Sequence, residues 1–381
     1  MDIPQGYKQT ELGIIPEDWE IVNLGSVAKI NGRIGFRGYT TADLVGVGQG
    51  AYTIGGKHIT NMVLDLHDAE YISWQKYYES PEIMVRKGDI VFAQRGTLGK
   101  SAFIVNDIGP ATINPSLVLI NKIKCDNEYL SYWLQCDKIV EYICSINSQT
   151  SIPMITQNQI EHIPVVLSRI KAEQQAIAEA LGDIDGLIAT LDKKIAKKRL
   201  IKQGAMQQLL TGKTRLPGFT DSWLEKKLGA ISHIKTGSCN GDQAVENGKY
   251  PFFVRSQKVY AIDSYSYDGE AILVPGEGGI GSIFHYINGK FDYHQRVYKI
   301  SDFADNVYGK YIFFYMSRYF GECALSLTVK ATVDSLRLPT FEEFVICLPM
   351  DIKEQQAIAA ILSDMDNELA DLEAKRDKYR L

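Results

Sequence analysis

At 381 residues, with 45% hydrophobic and 23% charged side chains, the chain has the composition of an ordinary soluble protein and is long enough for two or three domains with cores of their own. No apolar run approaches the ~20 residues that span a bilayer, and the N-terminus lacks a signal-peptide core, so we expect a cytoplasmic protein with no membrane contact. The net charge of −5 excludes a whole-chain argument for nucleic-acid binding, although residues 169–215 carry 10 basic and 5 acidic side chains.

Residues 1–168 are predicted to form a mixed α/β domain that is rich in strands at its start. Turn signals at residues 31–32, 46–50 and 55–56 separate short apolar segments. Residues 82–93 predict two short strands around a Lys-Gly-Asp turn, and residues 129–143 have the periodicity of a helix.

A long helix is predicted within the central region, residues 169–215. Its apolar residues alternate in steps of four and three, which is the heptad seam of a coiled coil and requires a partner helix. The seam positions are Ile177, Leu181, Ile184, Ile188, Leu191 and Ile195.

Residues 216–350 repeat the plan of the first domain. Trp223 followed by Leu-Gly matches Trp19 followed by Leu-Gly at the same spacing, and residues 269–274 match residues 88–93. The glycines of residues 278–281 lie where those of residues 96–99 lie in the first copy. The loops differ between the copies, which favours two modules that do the same kind of work on different targets.

The C-terminal region, residues 351–381, repeats the long helix but is short relative to the first copy. Its seam positions are Ile358, Leu362, Met365, Leu369 and Leu372, each 181 residues after a seam position of the first helix. We therefore predict an α+β protein in which two similar mixed α/β domains are joined and separated by two long helices. The helices are expected to form an antiparallel intramolecular coiled coil with pseudo-twofold symmetry.

Short motifs that suggest nucleotide chemistry lack the context that this chemistry requires. Residues 276–281 fit G-x-G-x-x-G, but the following residues alternate like a strand, whereas a dinucleotide site needs a helix there. Asn114-Pro115-Ser116-Leu117 resembles an adenine-methyltransferase motif without its aromatic residue. The six histidines form no metal-binding or nucleophilic grouping, so we predict no catalytic residue, no metal site and no cofactor in this chain.

Polar and basic residues on the glycine-containing loops remain as candidates for DNA contact. Arginine recognises guanine, and glutamine or asparagine recognises adenine, in the major groove. A solvated surface residue is the alternative at each position. The candidates are Arg33, Arg37, Lys57, Gln94, Arg95 and Lys100 in the first copy, and Lys235, Arg255, Lys258, Lys290, His294, Gln295 and Arg296 in the second.

The chain resembles the specificity (S) subunits of type I restriction-modification enzymes along essentially its whole length. The resemblance is carried by YKQTELGIIPEDW at residues 7–19, by EQQAIA at residues 173–178, and by IKQGAMQQLLTGKTRL at residues 201–216. These segments are far more specific than the glycine loops.

The resemblance implies two target-recognition domains, each of which reads one half of a bipartite sequence in double-stranded DNA, held apart by the conserved helices. It also implies that the helices dock two methyltransferase (M) subunits that use S-adenosylmethionine to methylate adenine. Restriction (R) subunits would then supply ATP- and Mg²⁺-dependent translocation and cleavage. The chain itself would be a non-catalytic subunit.

Two other hypotheses belong to different classes. One is a coiled-coil protein-interaction scaffold without DNA specificity, which would show no salt-dependent affinity for duplex DNA. The other is an enzyme that uses the loop at residues 276–281, which would bind nucleotides as an isolated chain.

Overall fold

The computed structural model describes residues 3–60, 62–147, 153–327 and 335–380. The chain divides into two compact units, Met1–Gly186 and Leu187–Leu381. Each unit contains one of the two predicted modules and a part of the first long helix. Within the described ranges, none of the helices combines the length and the hydrophobicity needed to cross a bilayer.

The first unit is built from short strands and helices. Its strands are β1 (Tyr7–Thr10), β2 (Gly13–Pro16), β3 (Glu20–Asn23), β4 (Lys29–Gly32), β5 (Leu44–Val45), β6 (Gly50–Ile54), β7 (Ile59–Thr60), β8 (Val63–Leu64), β9 (Glu70–Ser73), β10 (Ile90–Ala93), β11 (Ser101–Phe103), β12 (Ala111–Ile113), β13 (Leu117–Asn121) and β14 (Pro164–Leu167). Its helices are α1 (Leu24–Val27), α2 (Trp74–Tyr78), α3 (Asn127–Trp133), α4 (Asp137–Ser145), α5 (Gln157–Glu161) and the first part of α6 (Lys171–Leu209).

The larger sheets of the first unit have the orders β11-β10-β13-β4 and β12-β6-β9-β5. Strands β10 and β13 are apolar at almost every position because both of their faces are covered. Phe92 on β10 packs with Leu130 of α3 and Ile139 of α4, while the alternate residue Val91 belongs to a separate cluster with Ile113 of β12. Because successive side chains of a strand point to opposite faces of the sheet, one apolar strand contributes residues to two cores.

The second unit repeats this construction with longer elements. Its strands are β15 (Trp223–Lys227), β16 (His233–Thr236), β17 (Tyr250–Phe253), β18 (Tyr260–Ile262), β19 (Tyr267–Pro275), β20 (His285–Tyr293), β21 (Val297–Ser301) and β22 (Val345–Pro349). Its helices are α7 (Leu228–Ile231), α8 (Gly309–Leu327), α9 (Leu338–Glu342), α10 (Ile352–Tyr379) and the second part of α6. The main sheet has the order β16-β21-β19-β20-β17-β18.

Matching contacts in the two units confirm the internal repeat. Trp19 lies edge-on to Tyr129 with ring centroids 6.5 Å apart, and Trp223 lies edge-on to Tyr311 at 6.4 Å. The hydroxyl groups of Tyr129 and Tyr311 each donate a hydrogen bond of 2.8 Å to a backbone carbonyl of the strand that precedes a long helix. The sequence prediction of two similar mixed α/β domains, each followed by a long helix, is therefore confirmed.

The second part of α6 and helix α10 pair side by side within the second unit. Lys198 binds Glu368 at 2.7 Å, Arg199 binds Glu373 at 2.6 Å, and Asp192 binds Arg380 at 2.7 Å. Residue numbers fall along α6 as they rise along α10, so the two helices are antiparallel here, as the sequence predicted. Exposed ion pairs of this kind contribute little free energy each, and they chiefly fix the register.

The predicted seam is buried unevenly along α6. Leu191 and Ile195 are buried in the second part of the helix, but Leu181 and Ile184 in the first part are each 38% exposed. The heptad pattern predicted that the seam meets a partner helix. The difference arises because a seam residue is buried only where another element covers it.

Candidate nucleic-acid interface

The polar cluster of the second unit lies where strand β19 ends and strand β21 begins. The loop after β19 carries Glu277, whose carboxylate forms salt bridges with two arginine side chains. Arg255, after β17, and Arg296, before β21, each approach the Glu277 carboxylate at 3.3 Å and leave more than half of their own side chains exposed. The backbone N–H of Gly276 donates to the carbonyl of Arg296 at 2.8 Å, which ties the two loops together.

His294 holds the turn from β20 to β21 in place. Its side chain is buried, and its Nδ1 accepts a 2.9 Å hydrogen bond from the backbone N–H of Arg296. Burial, followed by the charges of Arg255 and Arg296, lowers the pKa of His294 below its ordinary value. His294 is therefore a neutral support for the turn, while the adjacent Gln295 is exposed and donates to Asn240 at 2.6 Å.

The predicted lysines of the second unit belong to other contacts. Lys258 follows Arg255 on the same loop and lies over the Tyr260 ring at 5.1 Å, while Lys290 lies over the Tyr265 ring at 4.7 Å. Lys235 is exposed on β16 opposite Lys299. The structure therefore brings Arg255, Arg296, His294 and Gln295 together with Glu277, and places Lys235 and Lys290 in separate surroundings.

The polar cluster of the first unit lies at the corresponding end of β10. The Gln94 side chain donates to the carbonyl of Pro115 at 3.1 Å, and the backbone N–H groups of Gln94 and Arg95 both approach the carbonyl of Ser116. Arg95 and Lys100 are exposed on this loop. The Asn114 carboxamide accepts from the backbone N–H and the hydroxyl of Ser116, so the Asn-Pro-Ser segment is a turn that supports the loop.

His58 is a buried histidine of the first unit that also supports a turn. It is buried, and its Nδ1 accepts a 2.9 Å hydrogen bond from the backbone N–H of Gly55. Burial, followed by the charge of Lys57, lowers the pKa of His58. Lys57 is more than half exposed and lies 3.5 Å from the carboxylate of Asp68.

Arg33 and Arg37 both have partners within the first unit. The buried guanidinium of Arg33 donates to the carbonyl of Ile113 at 3.1 Å, to the Thr112 hydroxyl at 3.0 Å and to the carbonyl of Arg37 at 3.3 Å. Arg37 is partly exposed and pairs with Glu82 at 3.4 Å. DNA contact by Arg33 stays a prediction. The three hydrogen bonds show that its guanidinium holds the surrounding backbone in place.

Sequence reasoning missed the acceptors that organise these clusters. Glu277 was treated only as one residue of a glycine loop, and Asn114 only as part of a rejected motif. The glycine loop connects β19 to β20, as predicted from the strand-like pattern of the residues that follow it. Gly278, Gly279 and Gly281 have φ angles of 70°, 60° and 66°, which glycine adopts without strain. The sequence did contain a signal for Glu277: a glutamate within a glycine-rich loop, in a module that carries arginines on its other loops.

The arrangement suits recognition of base edges and phosphates. An arginine offers a rigid fork of donors for guanine or phosphate, and a carboxylate accepts from the amino group of cytosine. A carboxylate shared by two half-exposed arginines also holds both forks in place before the ligand arrives, which lowers the cost of ordering them on binding.

Comparison with known proteins places both units in one family. The sequence matches the family described as "Type I restriction modification DNA specificity domain" over residues 16–198 and again over residues 220–378. It is 27% identical over 300 residues to the putative type I restriction enzyme MjaX specificity subunit of Methanocaldococcus jannaschii, a match that covers 74% of this chain and 64% of that relative. It is 24% identical to the MjaVIII specificity subunit of the same organism, covering 95% of this chain and 89% of the relative.

The fold is also found in solved structures. The crystal structure of a type I restriction-modification S subunit from M. genitalium aligns over 100% of this chain and 95% of its own, with a TM-score of 0.68 at 14% identity. A structure described as the "Structural basis underlying complex assembly and conformational transition of the type I R-M system" aligns over 95% and 94%, with a TM-score of 0.58 at 18% identity.

Proposed function

We propose, since the chain belongs to the type I restriction modification DNA specificity family, that it is the non-catalytic DNA-recognition subunit of a type I restriction-modification complex. Each unit reads one half of a bipartite site in double-stranded DNA. The observation that carries this proposal is the repetition of the family match in two units that share a scaffold but present different polar clusters.

The polar clusters are the proposed points of contact. In the second unit, Arg255 and Arg296 donate to bases or phosphates, and Glu277 orients them. In the first unit, Gln94, Arg95 and Lys100 form the corresponding loop. Recognition by loops on a rigid sheet explains how one scaffold serves different sequences, because loop residues vary without disturbing the core.

The long helices space the two readers and bind the partner subunits. A straight helix of 39 residues spans about 60 Å, which is long enough to separate two reading modules. We infer that M subunits bring S-adenosylmethionine, that R subunits bring ATP and Mg²⁺, and that the chain itself carries no cofactor. The net negative charge of the chain is consistent with partners that supply much of the positive surface around DNA.

Exchange of one reading unit tests the proposal. Replacement of residues 217–350 by the matching domain of a relative, in complex with the M subunit of the same system, should change only one half of the sequence at which adenines are methylated. If both halves of the methylated sequence change, or if neither changes, the two units do not read DNA independently.

Point variants provide a second arm of the same experiment. Arg255→Ala combined with Arg296→Ala should weaken duplex binding by roughly 10- to 100-fold and relax selection in the same half-site only. The control is Lys227→Ala, which also removes an exposed cation paired with one carboxylate of the second unit. Equal losses in the variant and the control would exclude specific contact by the two arginines. Absence of any salt-dependent affinity for duplex DNA, with or without an M subunit, would instead favour the protein-interaction scaffold.

A further inference from the structure

The first unit presents an exposed aromatic ring on the loop that follows β4. Phe36 is 82% exposed, and no Phe, Tyr or Trp side chain within the described ranges is more exposed. The nearby Ile34 is 39% exposed. A single exposed apolar residue is common on protein surfaces. Phe36 differs from such residues in the rigidity of its turn and in its place on the sheet.

Hydrogen bonds order residues 33–38, which we call the Phe36 turn. The backbone N–H of Arg37 donates to the carbonyl of Ile34 at 2.9 Å, and the Arg33 guanidinium donates across the turn to the carbonyl of Arg37 at 3.3 Å. The Arg37 guanidinium also lies over the Phe36 ring, 5.5 Å from its centroid. Because the turn is ordered before a ligand arrives, little conformational entropy is lost when the ring makes a contact.

The Phe36 turn leaves the sheet at the edge that carries the polar cluster of the first unit. Gly32, the last residue of β4, pairs with Val118 of β13. The adjacent Leu117 pairs with Ala93, the last residue of β10 before Gln94. Strands β4 and β10 therefore end on the two sides of the same end of β13. The Phe36 turn and the loop that begins at Gln94 share this edge of the sheet.

Arg33 also joins the Phe36 turn to the polar cluster. Its guanidinium donates to the carbonyl of Ile113 at 3.1 Å. The next residue, Asn114, begins the turn that supports the Gln94 loop, because its carboxamide accepts from the backbone N–H and the hydroxyl of Ser116. The two loops are therefore held by neighbouring residues of one segment, which fixes the position of the Phe36 turn relative to Gln94.

The second unit uses the corresponding loop in its own polar cluster. Strand β16 is the counterpart of β4, because each strand follows a short helix that begins with Leu-Gly. After β16, the carbonyl of Cys239 accepts from the backbone N–H of Gln295 at 2.9 Å, and the Asn240 carboxamide accepts from the Gln295 side chain at 2.6 Å. This loop presents an amide in the second unit, whereas in the first unit it presents an aromatic ring.

We propose that Phe36 contacts the C5-methyl group of a thymine in the half-site that the first unit reads. The contact rests on the proposed function, because it requires the first unit to read duplex DNA. Gln94 and Arg95, on the same edge of the sheet, carry the donors that recognise adenine and guanine in the major groove. The apolar group that base edges present in this groove is the thymine methyl, which phenylalanine contacts favourably. An exposed ring beside these polar side chains therefore selects an A·T pair.

Selection from a library of duplexes with a random central region tests this contact. The chain is assembled with the M subunit of the same system, and the sequences of captured duplexes give the base preference at each position. The half-site of the first unit is the one that stays unchanged when residues 217–350 are exchanged. The wild type should prefer an A·T pair at one position of this half-site. A library with uracil in place of thymine lacks the methyl group and should reduce that preference by roughly 3- to 10-fold.

Variants of the ring provide the second arm of the experiment. Phe36→Ala should reduce the same preference by a similar factor, and the uracil library should then have no further effect, because both changes remove one contact. Phe36→Leu keeps an apolar side chain and should retain most of the preference. The control is Val47→Ala, which should leave base selection unchanged. Val47 is 84% exposed but precedes β6, whereas the loops of the polar cluster follow the last residues of their strands. Both side chains are exposed, so thermal unfolding should not change.

Several outcomes would overturn the proposed contact. They are a half-site of the first unit without an A·T preference, a preference that persists in the uracil library, and a preference that Phe36→Ala leaves intact. A Phe36-dependent rise in the fluorescence of 2-aminopurine placed in the half-site, without dependence on the methyl group, would show that the ring inserts between bases instead. Absence of base selection at every position in the wild type would contradict the proposed function itself, and is thereby distinguished from the other results.

Discussion

The first turns of α6 and α10 share the segment Glu-Gln-Gln-Ala-Ile-Ala, yet the seam residues that follow it are buried to different depths. Gln174 and Gln355 both turn their carboxamides into their own units. Gln174 accepts from the backbone N–H of Asp126 and donates to the carbonyl of Ser168. Gln355 accepts from the N–H of Tyr308 and donates to the carbonyls of Asn306 and Pro349. The two helix starts thus dock on their own domains in the same way through this glutamine.

The two units diverge in how deeply the seam residues of their long helices are buried. In the second unit, Leu362 lies in a core to which α6, α8 and α10 all contribute, whereas Leu181 in the first unit keeps 38% of its surface exposed. The comparison teaches that a heptad pattern specifies which face of a helix is apolar but not whether that face is buried. Three pairs of variants test how far the two units differ in energy.

The largest expected difference is between Leu362→Ala and Leu181→Ala. The first substitution opens a cavity in a closed core and should lower the free energy of unfolding by ~3 kcal/mol. The second removes a side chain that is already partly solvated and should cost less than ~1 kcal/mol. Urea unfolding measures both values, and hydrogen exchange of α10 peptides locates the first effect. Equal costs would mean that Leu181 is covered in solution.

The buried carboxylate of Glu354 gives the next difference. Arg215→Ala leaves this carboxylate buried without its bidentate partner, which should destabilise the second unit by ~2 kcal/mol after allowance for the partly exposed arginine. In the first unit, Glu173→Gln should cost less than ~1 kcal/mol, because Glu173 is only half-buried and binds the Ser168 hydroxyl. Thermal unfolding of the two variants provides the comparison. Arg215→Lys keeps the positive charge but loses the bidentate geometry of the guanidinium, so its loss of stability should be smaller than that of Arg215→Ala.

The smallest effect concerns the two buried histidines, His58 and His294. Each accepts a backbone N–H through Nδ1, so protonation breaks a hydrogen bond worth ~1 kcal/mol. The pKa values of His58 and His294 lie below the ordinary 6.5, so the unfolded chain binds more protons than the folded chain just below pH 6.5. The stability that the neutral rings contribute is therefore present above pH 6.5 and is lost as the pH falls below it.

Replacing each histidine tests this response to acid. Burial is the first cause that opposes protonation at both sites, followed by the charge of Lys57 at His58 and the charges of Arg255 and Arg296 at His294. His58→Asn and His294→Asn should therefore each reduce the stability loss between pH 6.5 and pH 5. Urea unfolding at several pH values measures both slopes, and an unchanged slope in both variants would show that other groups carry the acid sensitivity.

Much of the fold could be predicted from the sequence because repeated patterns need no tertiary information. The shared Gln-Gln-Ala-Ile-Ala segments and the constant spacing of 181 residues defined two equivalent helices, and the Trp-Leu-Gly matches defined two equivalent domains. The candidate site was predicted less completely. Arg255, Arg296 and Gln295 were found as loop residues, but the Glu277 carboxylate that joins the two arginines comes from another loop, and no spacing in the sequence indicates their proximity.

Residue type and periodicity by themselves determined the duplicated architecture, the apolar faces of α6 and α10, and the loops that carry polar side chains. Only the tertiary structure decided that Leu362 is buried while Leu181 is exposed, that Arg33 donates to backbone carbonyls, and that His58 and His294 support turns as neutral rings. The physical reason is that local patterns set the chemistry of a surface, whereas burial and hydrogen-bond partners depend on which distant segment lies against it.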